Sequence, residues 1–178
     1  HRGRRGAALG GHMNYCGLIP CDIANGNGVR VTLFVSGCTL HCKGCQNPQT
    51  WDFNAGKPFD DTAKQGLFEA LDHPWIQGLT LSGGHPLEKE NIECVLSLIK
   101  ECKTRWPDKD IWLYTGLKLS LEDICQVLRD CDVVVDGAYV DDLRDISLKF
   151  RGSSNQRLID VKKTIENQEI TLWGEENV

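Results

Sequence analysis

Residues 29–46 read VRVTLFVSGCTLHCKGCQ, and this run decides the architecture. Residues 29–35 are rich in β-branched and aromatic types and stop at Ser36-Gly37, the pattern of a buried strand running into a turn. Three cysteines follow at once on the connecting loop. Outward from this point, short apolar runs alternate with helical patterns. Residues 79–81 run into Ser82-Gly83-Gly84, and residues 111–114 and 133–135 read as further strands. Residues 62–71, behind an Asp60-Asp61 cap, place Ala63, Leu67, Ala70 and Leu71 on one side of a helix. Residues 88–106 carry Ile92, Val95, Leu96, Ile99, Cys102 and Trp106 at three-and-four spacing, and Pro107 stops them. Ser120 caps a third helix with Asp123 in the capping-box position, and Leu121, Ile124, Cys125 and Leu128 form its apolar side. Strands separated by helix-length connections pair in parallel, so the expected fold class is α/β with a mainly parallel sheet. Residues 157–159 and 170–173 are expected to add short strands. In such sheets ligands gather at the carboxyl ends of the strands, where the cysteine and glycine loops fall.

Composition narrows the function classes. The chain has 178 residues, long enough for one sizeable core. Its longest unbroken apolar run is the four residues 111–114, far short of the roughly 20 that span a bilayer, so no membrane segment is expected. The net charge is −5, and residues 1–12 hold three arginines and no acid, which makes the remainder more acidic still. An acidic body argues against a nucleic-acid partner. Nine cysteines, an odd number, do not pair off within one molecule and suit a reducing, cytoplasmic setting. Residues 1–12 precede the single methionine, Met13, and read as an expression scar or non-native leader.

Cys38, Cys42 and Cys45 form a C-x-x-x-C-x-x-C cluster. Three thiolates on one loop call for a shared soft cation, either zinc or an iron–sulfur cluster. A structural zinc site takes four protein ligands, and the other cysteines supply no second pair at C-x-x-C spacing. A four-iron cluster on three cysteines leaves one iron open for catalysis and is the preferred reading, with zinc as its rival.

This spacing matches the signature of the radical S-adenosylmethionine superfamily. The likeness extends through Ala24-Asn25-Gly26, Leu33-Phe34-Val35-Ser36-Gly37-Cys38, Thr50-Trp51, residues 78–84 (GLTLSGG), residues 109–116 (KDIWLYTG), Val135-Asp136-Gly137 and residues 151–157 (RGSSNQR). Over residues 13–158 the chain resembles the activating proteins of anaerobic (class III) ribonucleoside-triphosphate reductases, and RGSSNQR points to this branch rather than to activases of other glycyl-radical enzymes. The resemblance implies a truncated, partial βα barrel of the radical S-adenosylmethionine type over residues 13–158, with residues 159–178 as an extension. It implies a 4Fe–4S cluster on Cys38, Cys42 and Cys45, with S-adenosylmethionine chelating the open iron. One electron, from reduced flavodoxin or a similar donor, then releases a 5′-deoxyadenosyl radical that takes a hydrogen from a glycine of the reductase large subunit. The cofactors supply the chemistry, so no catalytic side chain is expected beyond them.

By the same resemblance Gly44, Cys45 and Gln46 lie beside the adenine, and Ser82, Gly83, Gly84 and His85 beside the methionine end. Three positions depart from the family pattern. His85 stands where an acidic residue usually accepts from the ligand ammonium, which predicts a weaker or pH-dependent methionine end. Gln46 replaces an aromatic, and Leu117 replaces a tyrosine. Three other readings stand beside this one: a non-catalytic iron–sulfur or zinc protein for electron transfer or scaffolding, an activase of another glycyl-radical enzyme, and a homologue in which His85 has abolished activation.

The remaining chemistry-bearing residues have plainer readings. Cys94, Cys102, Cys125 and Cys131 sit on or beside apolar helix faces and read as small hydrophobes. Cys16 and Cys21 read as incidental thiols, and His73 as a loop residue. Asp136 reads either as a ribose ligand or as a turn former. Arg151 and Arg157 alone read as part of a surface loop, and the resemblance implies that they orient a carboxylate or contact the reductase subunit, while Asp141, Asp142 and Asp145 read as a solvated face.

Overall fold

Strand β2 (Arg30–Val35) explains the architecture, because its side chains are buried on both faces. Val31, Leu33 and Val35 point into one apolar core, while Arg30 and Thr32 are fully buried at the alternating positions. The computed structural model describes residues 12–174; the leader expected over residues 1–12 falls, but for His12, outside the described residues.

Seven strands form one mixed sheet in the order β3-β1-β2-β4-β5-β6-β7. The parallel centre consists of β2, β4 (Gly78–Gly83), β5 (Asp110–Tyr114) and β6 (Val133–Asp136). These are the four strands that the apolar runs predicted. Both flanks are antiparallel: β1 (Asn14–Asp22) pairs with β2 and with β3 (Lys57–Pro58), and β7 (Arg157–Asp160) pairs with β6. Strands β1 and β3 carried no clear sequence signal. β1 is interrupted by register shifts and is half-exposed, which erases strict alternation.

Helices cover one face. α1 (Asp61–Leu71) starts at Asp60, whose carboxylate accepts from the Ala63 amide, and buries Leu67, Phe68 and Leu71. α2 (Ile92–Arg105) buries Val95, Leu98, Ile99 and Cys102. α3 (Leu121–Gln126) has the expected reciprocal capping box between Ser120 and Asp123. These side chains pack on Val31, Leu33, Leu79, Leu81, Ile111, Leu113 and Val134 as the main core.

Two expectations need correction. Helix α2 begins at Ile92, not at residue 88, because the segment ahead of it turns back on itself and Glu88 is used elsewhere. Residues 170–173 make only a single bridge, Leu172 to Ile159, instead of a strand. The extension past residue 158 is nonetheless built in: α4 (Val161–Asn167) buries Val161 and Thr164, and Trp173 packs edge-on against Trp112.

The other sheet face is polar near its carboxyl end and aromatic toward β7. Thr32, Thr80 and Ser82 lie there, with Trp112, Val133 and Val135 packed under Phe150 and Trp173. Asp22 accepts from Thr32 Oγ1 at 2.7 Å, from the Ala24 amide at 2.8 Å and from Asn25 at 2.6 Å, so it folds residues 24–25 over this face. Burial alone would raise the Asp22 carboxyl, but these bonds outweigh it and hold the group below the usual carboxylate range.

Asp136, fully buried at the end of β6, receives Arg157 Nε at 2.9 Å and a second guanidinium nitrogen at 2.6 Å, and also the Leu119 amide at 2.8 Å. Both residues are therefore spent on locking β6 to β7. This replaces the ribose reading of Asp136 and the substrate- or partner-orienting reading of Arg157. Arg157→Met leaves a buried carboxylate unpaired and is expected to cost about 3 kcal/mol in urea unfolding. Lys64→Ala, which breaks the exposed 3.1 Å pair with Glu101, is expected to cost under about 1 kcal/mol.

Candidate metal centre and adjoining cleft

The cysteine loop leaves the sheet at Gly37 and returns through a single 3-10 turn at Pro48–Thr50. Gly37 donates to Thr50 O at 2.7 Å and Cys38 to Trp51 O at 3.1 Å, which staples the loop's two ends together. From the neighbouring strand, Gly84 donates to Val35 O at 2.8 Å and His85 to Gly37 O at 2.8 Å. The approach is too close for any side chain: a Cβ on Gly84 would lie 2.6 Å from Gly37 O and 2.9 Å from Thr50 O. Asn91, 1% exposed, adds donations to Ser36 O at 2.9 Å and His85 O at 3.1 Å. Gly37, Gly44 and Gly83 all have positive φ, a conformation that glycine takes without strain.

Within the loop, Cys38 is buried, whereas Cys42 and Cys45 are half-exposed, and none of the three is in a disulfide. Amides of Leu40 and His41 donate to the Cys38 sulfur, and burial pushes that thiol up against their pull. The Asn47 amide donates to Cys45 Sγ at 3.4 Å. His41 holds a positive φ and stacks on Trp51 with ring centroids 4.4 Å apart. Among the described residues, no three His, Cys, Asp or Glu side chains are gathered closely enough to share a metal ion. The donor set still fits an iron–sulfur group in kind: three unpaired sulfurs on one loop, with backbone amides already directed at two of them. Cys102 and Cys131 are core residues, as the sequence indicates; burial pushes the Cys102 thiol up to about 12 and raises the Cys131 thiol further.

A cleft of about 350 Å³ opens beside Cys45 at the carboxyl ends of β4 and β5. Ala24, Asn25, Gln46, Ser82, Tyr114, Tyr139 and residues of the 150–156 loop line it. The RGSSNQR segment is fastened from within. Gln156 Oε1 accepts from the Gly152 and Ser153 amides at 3.0 and 3.1 Å, its Nε2 donates to Gly137 O at 3.0 Å, and Asn155 donates to Ala138 O at 2.7 Å. Tyr114 donates to Phe150 O at 2.7 Å and ties this wall to β5; burial pushes its hydroxyl well above the usual phenol range, so it remains neutral.

Of the residues expected around a cofactor, Cys45, Gln46 and Ser82 line the cleft. Gly44, exposed, does not line the cleft but lies against Asp141: a Cβ there would be 2.6 Å from Asp141 Oδ1. Gly83 and Gly84 form the junction below the cysteine loop. His85 is 4% exposed, and both ring nitrogens are engaged, Nδ1 with Glu88 at 3.2 Å and Nε2 with Thr115 Oγ1 at 2.7 Å. Glu88 Oε1 also accepts from the Thr39 amide at 2.7 Å and the Thr39 hydroxyl at 2.8 Å. Burial would raise the Glu88 carboxyl, yet the Thr39 and His85 bonds together bring it below the ordinary carboxylate range. Sequence reasoning missed Glu88, Thr39 and Asn91 because Glu88 and Asn91 sit in a stretch assigned to a helix. The available signal was the HxxE spacing directly behind the paired glycines.

The cysteine loop and the cleft lie at the carboxyl edge of the sheet, and the 4Fe-4S single cluster domain family model matches residues 24–159, which makes this an iron–sulfur class of protein. Three curated relatives, all named anaerobic ribonucleoside-triphosphate reductase-activating proteins, align with most of the chain. The Haemophilus influenzae protein is 48% identical over 148 residues, 81% of this chain and 96% of its own length. The Escherichia coli K12 protein is 45% identical over 148 residues, with the same coverage. The phage T4 protein is 47% identical over 148 residues, 82% of this chain and 93% of its own. The chain belongs to the anaerobic ribonucleoside-triphosphate reductase-activating protein family.

Gly84→Ala is expected to destabilise the protein by about 2 kcal/mol, because backbone blocks the new methyl group. Gly66→Ala, with nothing within 4 Å on the surface of α1, is expected to stabilise it by about 0.5–1 kcal/mol. Urea midpoints of the two variants measure both.

Proposed function

We propose that this chain is a radical S-adenosylmethionine activase that installs a glycyl radical on the large subunit of an anaerobic ribonucleotide reductase. The observation that carries the reading is the cleft opening at Cys45, between the cysteine loop and the RGSSNQR wall. Cys38, Cys42 and Cys45 would hold one 4Fe–4S cluster, with one iron left without a protein ligand to take S-adenosylmethionine. When bound, the cluster and S-adenosylmethionine supply a one-electron cleavage of the sulfonium bond, giving methionine and a 5′-deoxyadenosyl radical. The protein binds, orients and excludes water. Ser82 and Gln46 offer polar groups from two sides of the cleft, and Tyr114, Tyr139 and Phe150 offer ring surface. Gly44, Gly83, Gly84 and His85 are assigned to the same pocket through their backbone or through the loop that they support.

This reading calls for a truncated βα barrel of the radical S-adenosylmethionine type, since a large partner must reach the radical. Reduced flavodoxin or a similar donor supplies the electron, and the setting is the cytoplasm. No helix among the described residues is long and apolar enough to cross a membrane. The acidic body, −5 overall, disfavours nucleic acid as a partner.

The test is anaerobic reconstitution with iron and sulfide, then dithionite and S-adenosylmethionine, with chromatographic assay of 5′-deoxyadenosine. Wild-type protein is expected to form it, and Cys42→Ala to form none. A cluster that assembles in wild-type protein without product would replace this reading with a non-catalytic electron carrier, and tightly bound zinc would replace the cluster.

A further inference from the structure

The cysteine loop is clamped from outside by one carboxylate. Glu88 is 9% exposed, and its Oε1 gathers three donors: the Thr39 amide, the Thr39 hydroxyl and His85 Nδ1. Thr39 itself is exposed, yet both its amide and its hydroxyl turn to this carboxylate. His85 Nε2 in turn accepts from the Thr115 hydroxyl, just past the end of β5, and Thr115 Oγ1 accepts from the Leu117 amide at 3.2 Å. A hydrogen-bonded chain thus runs from the end of β5 through His85 and Glu88 to the residue next to Cys38. The segment that carries His85 and Glu88 is itself fixed. Glu88 donates to His85 O at 3.2 Å, Asn91 and Ile92 donate to Glu88 O at 2.9 and 2.8 Å, and Asn91 reaches Ser36 O.

We propose that Glu88 is a positioning residue, oriented by His85, which pins Thr39 and so sets the cysteine loop for cluster binding. The proposal rests on the reading of Cys38 as a cluster ligand. It also gives His85 a role other than contact with the ligand: the imidazole spends its donor on Glu88 and is enclosed by the β4–α2 segment. A carboxylate accepting two bonds from Thr39 holds the loop against thermal opening more firmly than a neutral acceptor would, since hydrogen bonds to charged groups are the stronger kind.

The metal-free protein tests this without any cluster. Under anaerobic conditions, iodoacetamide modification of Cys38 is followed by peptide mass spectrometry in wild type, Glu88→Gln, Thr39→Val and the double variant. Both single variants are expected to raise the Cys38 rate by about tenfold, and the double variant to add little to the larger single effect. Cys102, deep in the core, reports intact folding by keeping its wild-type rate. Because Thr39 is on the surface, Thr39→Val tests the clamp even if Glu88→Gln folds poorly. Cys38 rates within twofold of wild type in Thr39→Val, or fully additive effects in the double variant, overturn the proposal. With the cluster reconstituted, the paramagnetic spectrum of the reduced centre in the presence of S-adenosylmethionine is expected to differ from wild type in both variants, and an unchanged spectrum counts against the positioning role. Wild-type protein that forms no 5′-deoxyadenosine would sink the proposed function while leaving the thiol measurement readable, so the two failures are told apart.

Discussion

Everything at the functional edge depends on a contact between backbones. Gly84, just past the end of β4, presses against Gly37 O and Thr50 O at a distance that excludes a Cβ. Gly37 begins the cysteine loop and Thr50 closes it, so one glycine fixes both ends of the loop against the strand that carries Ser82. The pairing of β2 with β4 ends in the same place, with Val35 opposite Gly83. The cost of freezing a twelve-residue loop is offset here by main-chain hydrogen bonds and the buried Asn91 amide, with no sizeable apolar core under the loop.

The division of the sheet into two faces then creates the cleft. On one face β-branched and leucine side chains of β2, β4, β5 and β6 meet helices α1 to α4 and supply the stability. On the other face Thr32 and Thr80 are buried beneath the turn that follows Asp22, bonded to Asp22 and to Asn25 O, and of these short polar side chains Ser82 is the one that lines the cleft. Asp22 folds the 24–25 turn across one side, while the Gln156-fastened loop forms the opposite wall. The Asp136–Arg157 lock holds that wall's strand in register. Polar networks thus shape the cleft, and the apolar core holds the sheet that they stand on.

The parallel centre and its helices were legible in the sequence because each had one dominant period or cap, as in Val31-Leu33-Val35 or the Ser120–Asp123 box. The cysteine triad stood out by its spacing, whereas the paired glycines behind β4, which alone would read as a tight turn, stood out only by their place one βα unit after it. The antiparallel edges were not: β1 is half-exposed and irregular, and β3 is two residues long. Nor were the partners of polar residues. Asp136 sits 21 positions from Arg157, and Glu88 49 positions from Thr39, so nothing local marks either pair. His85 shows the limit most clearly, since a residue that looks like a defect in a motif proves to be the buried support of a carboxylate.

The central claim is that this fold delivers a radical to a partner's glycine. The direct measurement is electron paramagnetic resonance of the reductase large subunit after anaerobic incubation with the reconstituted, reduced protein and S-adenosylmethionine. The account predicts a glycyl radical doublet that is absent when S-adenosylmethionine is omitted. Accumulation of 5′-deoxyadenosine with a large subunit that stays free of radical would contradict it.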